Sequence, residues 1–276
     1  MYSAIFSRTY PMTNIAEVLD VVAAEGWAGI QANLSSAGLA SLPQILPPGI
    51  AAEFGSQAKA RDLQIAALSG TYNMAHPDAA VRLASRVGFA HVVRAAREMG
   101  APIVTLCTGS RNTQDMWKSH PDNATELAWS DLRAELDFAL ELAEAADISL
   151  AIEPEPGNVV CDARAAVRLV NEVASDRLGI ILDAANLLTP ETLSTQQDLM
   201  NQATGLLGGS IVLAHAKDLD VAGHVVAPGE GAVDLVAFAR ALRAVGYDGA
   251  LVAHGFEANK TAVAAKALQR IIAESA

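Results

Sequence analysis

The chain has 276 residues, of which 51% are hydrophobic, enough to bury the core of one large α/β domain or two small ones and to exclude a disordered chain. Its 19 Lys+Arg against 31 Asp+Glu give a net charge of −12, so it lacks the basic footprint that nucleic-acid backbones require. Two isolated cysteines, Cys107 and Cys161, are too few for a disulfide framework or a zinc cluster and read as structural thiols of a reducing cytosol. The N-terminal MYSAIFSRTYPM has no basic region followed by an apolar one, and no stretch approaches a membrane span. A cytoplasmic protein with neither a nucleic-acid nor a membrane partner is expected.

Short apolar runs alternate with longer segments of helical period, the βα pattern of a parallel sheet. In chain order, a strand at 2–6 (YSAIF) precedes a helix at 14–25, and a strand at 28–32 (AGIQA) precedes a helix at 49–62. A third strand at 64–69 (QIAALS) leads to a helix at 79–99, and a fourth at 102–107 (PIVTLC) leads to the irregular stretch 108–123. That stretch carries Trp, His and Arg and is expected to form a lid; a helix follows at 124–146. Four more strands at 148–153, 178–183, 210–215 and 249–254 alternate with helices at 162–175, 195–205, 232–245 and 259–274. Asp162, Thr195 and Asn259 stand where helix-start residues belong. Eight βα units over residues 1–276 predict a single-domain (β/α)8 TIM barrel. A doubly wound sheet is the alternative, but no G-x-G-x-x-G follows the first strand and no Walker motif is present. The GEG at 229–231 reads as a turn into the seventh helix.

In a parallel barrel the active site forms at the carboxyl ends of the strands. The last four strands end in Glu153, Asp183, His215 and His254. Alternation in SLAIE turns Leu150 and Ile152 to the helices and Ser149, Ala151 and Glu153 to the barrel axis; the same parity brings Asp183, His215 and His254 inside. Two carboxylates and two imidazoles crowded together need a cation or protonation. A divalent metal meets that need, and mixed oxygen and nitrogen donors suit Mn, Co, Zn or Fe better than Ca or Mg. Taken singly, each residue also has a structural alternative: Asp183 as a cap of the ANLLTP turn, His215 as a hydrogen-bonded rim residue, Glu153 as the partner of an arginine.

The succession IEPEP, LDAAN, HAKD and APGEGAVDLVAFARALRAVGYDGALV, with SGTYNMAHPD and TLCTGSRN…MWKSHPDN before it, resembles the xylose isomerase-like TIM-barrel superfamily. That superfamily comprises sugar isomerases and epimerases, with endonuclease IV as a distant relative. The resemblance implies that Glu153, Asp183 and His215 bind one divalent metal. It departs from the pattern at His254, where the family carries a strand-8 glutamate, so a symmetric two-glutamate proton transfer is not implied. His254 is expected to remain a ligand or an acid/base, and Glu257 is an alternative reaching back from the following loop. Glu153 is also the first candidate for the acid that removes the substrate proton, and Glu155 is the second. Asn186, which replaces a sugar-contacting histidine of the family, is a candidate substrate contact. His76, His120 and Lys217 are candidate pocket residues, Trp117 a face for a sugar ring, and Arg111 a cation for a substrate phosphate or carboxylate.

The expected function is that of a metal-dependent isomerase or epimerase of a small sugar, keto-sugar or inosose, acting through an enediolate. Alternatives are a dehydratase acting on a related keto-sugar, an endonuclease IV-like hydrolase, and a non-catalytic sugar-binding barrel. The resemblance also implies a homo-oligomer.

Overall fold

The computed structural model describes all residues from Met1 to Ala276. The first half runs β1 (Tyr2–Phe6), α1 (Ile15–Ala24), β2 (Gly29–Ala32), α2 (Ile50–Lys59), β3 (Gln64–Ser69), α3 (Ala79–Met99), β4 (Ile103–Cys107) and α4 (Glu126–Ala146). The second half runs β5 (Ser149–Glu153), α5 (Ala163–Val173), β6 (Leu178–Asp183), α6 (Gln196–Leu207), β7 (Ile211–His215), β8 (Asp218–Leu219), β9 (Val225–Val226), α7 (Leu235–Ala244), β10 (Ala250–Ala253) and α8 (Thr261–Glu274). Eight parallel strands close in the order β1-β10-β7-β6-β5-β4-β3-β2, and the helices surround them: a (β/α)8 TIM barrel. β8 and β9 form a separate antiparallel ribbon above the barrel that the hydrophobic period did not announce.

The helices begin where side chains accept orphan backbone N–H groups. Asp78 accepts from Ala80 at 2.8 Å, Thr125 from Ala128 at 3.2 Å, and Asp162 from Ala165 at 2.8 Å. Thr195 stands at the start of α6 without a side-chain cap, because a 3₁₀ turn over Pro190–Thr195 leads directly into the helix. Asn259 does not cap α8: it lies inside the 3₁₀ turn Ala258–Lys260, and the helix starts two residues later.

Side-chain parity sorts the strands into two layers. Leu150 and Ile152 join the large core between sheet and helices, whereas Ala4, Ala67, Ala151, Ile181, Leu213 and Val252 fill the barrel interior. Small interior residues leave the carboxyl end open for polar groups. The β6–β7 register shifts between Ile180 and Ile181, and after the shift Asp183 pairs with His215. Gly179 permits this close approach, since a Cβ there would strike the Val212 side chain. No helix is long and apolar enough to cross a membrane.

Candidate metal centre and active site

Strand register brings the strand-end residues together. Cys107 lies beside Glu153 on β4 and β5, Asp183 beside His215 on β6 and β7, and His254 follows β10 by one residue. Ligand atoms of Glu153, Asp183, His215 and His254 all lie within 4.8 Å of one another. The first three are nearly inaccessible, and His254 is partly buried.

His215 is oriented from both sides. Its Nε2 meets Gln31 Oε1 at 2.8 Å, and the Gln31 amide is in turn fixed by donating from Nε2 to Thr105 Oγ1 at 3.3 Å. With Nε2 donating to Gln31, Nδ1 is the atom turned to Glu153 Oε1 at 3.2 Å: it donates to that carboxylate while the ring is protonated and offers its lone pair there once the proton is lost. Two electron-pair donors turned toward each other at this distance fit ligands of one cation, with Gln31 as the outer support that sets the tautomer. His254 Nε2 stands 3.3 Å from Asp183 Oδ2, and its ring meets that of His215 edge-on at 4.4 Å.

Lys217, just past β7, ties the acids together: its Nζ lies 3.2 Å from Asp183 Oδ2 and 3.5 Å from Glu155 Oε1, and donates to Asn186 Oδ1 at 2.8 Å. Asn186 Nδ2 donates to Glu153 Oε1 and to the Pro154 carbonyl, both at 3.1 Å. Glu153, Asp183 and Glu155 against one ammonium leave two negative charges, which match a divalent cation.

Burial works to raise the carboxyls of Glu153 and Asp183, but the neighbouring cationic groups outweigh it. His215 and Lys217 hold Glu153 below the usual carboxylate range, and Lys217 with His254 holds Asp183 far below it. Glu155 moves the other way: burial and the charge of Glu153 raise it, against the pull of Lys217. Burial and His215 depress His254, which favours its neutral form, whereas the acids around His215 and Lys217 raise both despite burial.

These groups open into a cavity of about 310 Å³, the size of a pocket for one small molecule. Glu155 and Trp117 line it with Glu153, His215 and His254. The wall formed by the first four strands consists mainly of neutral polar groups, among them Gln31, Asn33, Ser69, Thr71 and Thr105. None of these was singled out from the sequence. Gln31 and Ser69 sit at or near strand ends, the same signal that marked Glu153, but amides and hydroxyls carry no chemistry by themselves. A second hollow of about 310 Å³ between α5 and α6, with Leu187, Leu199 and Leu206 in its wall, contains neither imidazole nor Glu155.

Asp183, Asn186 and Lys217 belong to the cluster without lining the cavity, and four other sequence candidates fall outside both. Arg111 turns away into a buried ion pair with Asp131 at 2.7 Å and donates to the Ala75 carbonyl at 3.3 Å. His76 accepts the Asp78 N–H at 3.1 Å, and His120 the Asp122 N–H at 3.2 Å, so both histidines brace turns that precede helices. Glu257 is exposed at the start of the 258–260 turn and lines a different depression with Glu230 and Lys260. Asp218, next to Lys217, is fully buried and accepts the N–H groups of Gly229, Gly231 and Val233, which folds the 229–233 loop around its carboxylate.

The stretch 108–123 forms a braced wall. Asn158 accepts the Gly109 N–H at 2.7 Å and donates to the Met116 carbonyl at 3.0 Å, and Ser110 Oγ donates to the Lys118 carbonyl at 2.6 Å. Gly157 packs so closely on the Trp117 carbonyl that no Cβ fits.

A closed barrel with mixed carboxylate and imidazole donors at its carboxyl end places the protein in a defined class. The chain belongs to the xylose isomerase-like TIM barrel family, whose model matches residues 19–274. Among solved structures it is similar to the 3-keto-D-glucoside 4-epimerase of E. coli, with 17% identity, 98% of this chain and 99% of that chain covered, and a TM-score of 0.78. An IOLI protein solved with a bound zinc atom is 18% identical over 100% of this chain and 99% of that one, at a TM-score of 0.76. An L-ribulose 3-epimerase is 18% identical over 99% and 94%, also at 0.76. At these identities the likeness is one of fold. No curated protein matches the sequence.

Proposed function

We propose that the protein is a metal-dependent isomerase or epimerase of a small polyhydroxy carbonyl compound, a ketose, keto-sugar or inosose. The observation that carries this reading is the convergence of Glu153, Asp183, His215 and His254 within 4.8 Å, with Glu153, His215 and His254 lining one cavity together with Glu155. The neutral amides and hydroxyls opposite suit a substrate rich in hydroxyl groups, and the epimerases of like fold agree with it.

The four residues would hold a divalent cation, with Mn, Co, Zn or Fe suited to the mixed donors. When bound, such a cation polarises a carbonyl and acidifies the adjacent C–H. The chain supplies the proton carrier. Glu153 is engaged by Asn186 and faces His215, so it is held in place as a ligand. Glu155 lies beside Lys217, lines the cavity, and has a carboxyl raised by burial and by the charge of Glu153, which makes it the better proton carrier of the two acids. Lys217 and Asn186 steady the acids, and Met116 and Trp117 of the 108–123 wall line the cavity beside them.

Glu153 and Glu155 descend from one strand, while the strand-8 position offers an imidazole. A proton taken and returned by carboxylates on one side reaches the neighbouring carbon on the same face, which favours isomerisation over inversion at a single carbon. The single-cation donor set and the charge of −12 disfavour a phosphodiester hydrolase.

The test is incubation with a panel of ketoses and inososes in deuterium oxide, with Mn, Co or Zn added and label located by NMR. Deuterium is expected beside the carbonyl in an isomerised product. Glu155→Gln should abolish exchange yet keep one equivalent of metal, whereas Glu153→Gln should lose metal as well. Sugars that bind without any exchange or turnover would leave a binding barrel, and abasic DNA nicked with zinc would restore the hydrolase.

A further inference from the structure

The residues of the proposed reaction occupy one side of the cavity. In the closed strand order β1 lies four strands from β5 in either direction, so the rim after β1 faces Glu153 and Glu155 across the mouth. Arg8, in the 3₁₀ turn Ser7–Thr9, lines that rim and is the one Lys or Arg among the cavity-lining residues. It is exposed and forms no ion pair within the chain. The other nearby cations are engaged: Lys217 by Asp183, Glu155 and Asn186, and Arg111 by Asp131.

The base of the Arg8 turn is rigid. Ser7 is fully buried, and its Oγ accepts from the Asn33 N–H at 2.9 Å and the Ser36 hydroxyl at 2.8 Å. Asn33 also lines the cavity and is 1% exposed. Its Oδ1 accepts from the Ser35 N–H and the Ser41 hydroxyl, both at 2.9 Å, which fixes the amide and leaves Nδ2 without an acceptor in the chain. One rim therefore presents an unspent guanidinium and an unspent amide N–H, in a protein otherwise strongly acidic.

We infer that Arg8 and Asn33 form a subsite for an anionic group at the end of the substrate remote from its carbonyl. The inference rests on the isomerase reading of the cavity and narrows it to acidic sugars. Carboxylate and phosphate monoester share the recognition chemistry, planar guanidinium to paired oxygens with an amide N–H beside it.

Calorimetric binding to the full chain separates the sources, with D-fructose, D-fructuronate and D-fructose 6-phosphate as probes for wild type, Arg8→Met and Arg8→Lys. At least one acid is expected to bind wild type about 10- to 100-fold more tightly than D-fructose, the range of a charge-assisted hydrogen bond. In Arg8→Met that ratio should fall to near one, and Arg8→Lys should retain part of it. Whichever acid shows the effect identifies the group. Wild type that binds no acid, binds all three probes equally, or has a preference that survives Arg8→Met overturns the inference. Deuterium exchange is scored separately: preference without exchange refutes the isomerase and leaves the subsite, and exchange without preference does the reverse.

Discussion

Gln31→Met tests whether the cavity is organised around a cation. Gln31 is 4% exposed and touches no other proposed ligand, yet its Oε1 accepts the Nε2 proton of His215 at 2.8 Å. Methionine preserves the volume and removes the acceptor. The freed imidazole can then keep its one proton on Nδ1, pointing at Glu153 Oε1 3.2 Å away, where the N–H donates to the carboxylate in the position a cation needs. Losing a buried hydrogen-bond partner costs about 1–3 kcal/mol, and loss of an outer-sphere partner of a ligating histidine typically weakens metal binding about 10–100-fold. Chelator competition with Mn or Zn should show that loss, and Gln31→Glu, which keeps an acceptor, should recover most of it. Thermal unfolding in EDTA separates a metal effect from a general loss of fold. Affinity within about twofold of wild type, in a variant that unfolds normally, would refute the assignment of Nδ1 as the ligand atom.

Three further outcomes follow from other parts of the molecule. Glu135, 3% exposed, takes two 3.0 Å contacts from Arg86 and the Tyr72 hydroxyl at 3.2 Å. Glu135→Leu should destabilise the chain by about 1–3 kcal/mol in denaturant unfolding, because Arg86 loses its paired carboxylate and the Tyr72 hydroxyl its acceptor, and the absence of any measurable cost would contradict it. Tyr2, Tyr10, Tyr72 and Tyr247 all have raised phenols, with burial the leading cause. The unfolded chain releases these protons near pH 10 while the native chain keeps them, so their contribution is fully present below about pH 10 and is lost as pH rises beyond it. Tyrosinate absorbance should therefore appear with unfolding, and early tyrosinate in folded protein would refute this. Gly157→Ala forces the Trp117 carbonyl away; faster hydrogen exchange and proteolysis across 112–119 are expected, and unchanged protection would mean that the wall yields without loosening.

The barrel was legible because each strand and helix declares itself locally: apolar runs of four to six residues, helical period between them, and acids or hydroxyls at helix starts. The convergence of the four strand-end residues was legible for the same reason, since strand parity and the carboxyl-end rule need only neighbours in sequence. Arg111 was misplaced because its fate depends on Asp131, a residue of α4 whose approach nothing local reveals. Gln31 was invisible for the same cause: it meets His215 across 184 residues of chain, and a glutamine at a strand end has no distinctive identity. His76 and His120 precede prolines, and the turns those prolines impose consume the imidazoles as caps.

The strand-8 imidazole gives a reason for the other features of the cavity. A neutral His254 in place of a carboxylate removes one negative charge from the donor set, so Glu153 and Asp183 alone balance a divalent cation. Glu155 is then left to Lys217, 3.5 Å away, and the assembled site is electrically even with Glu155 ionised. A neutral sugar entering this site needs no further charge, and an acidic one brings an excess that Lys217, already held by Asp183, cannot absorb. Only Arg8, across the mouth and unpaired, remains to meet it. Under the proposed function, the charge balance that would retain Glu155 as a proton carrier would separate the reacting end of the substrate from the end that is recognised, on opposite rims of one barrel.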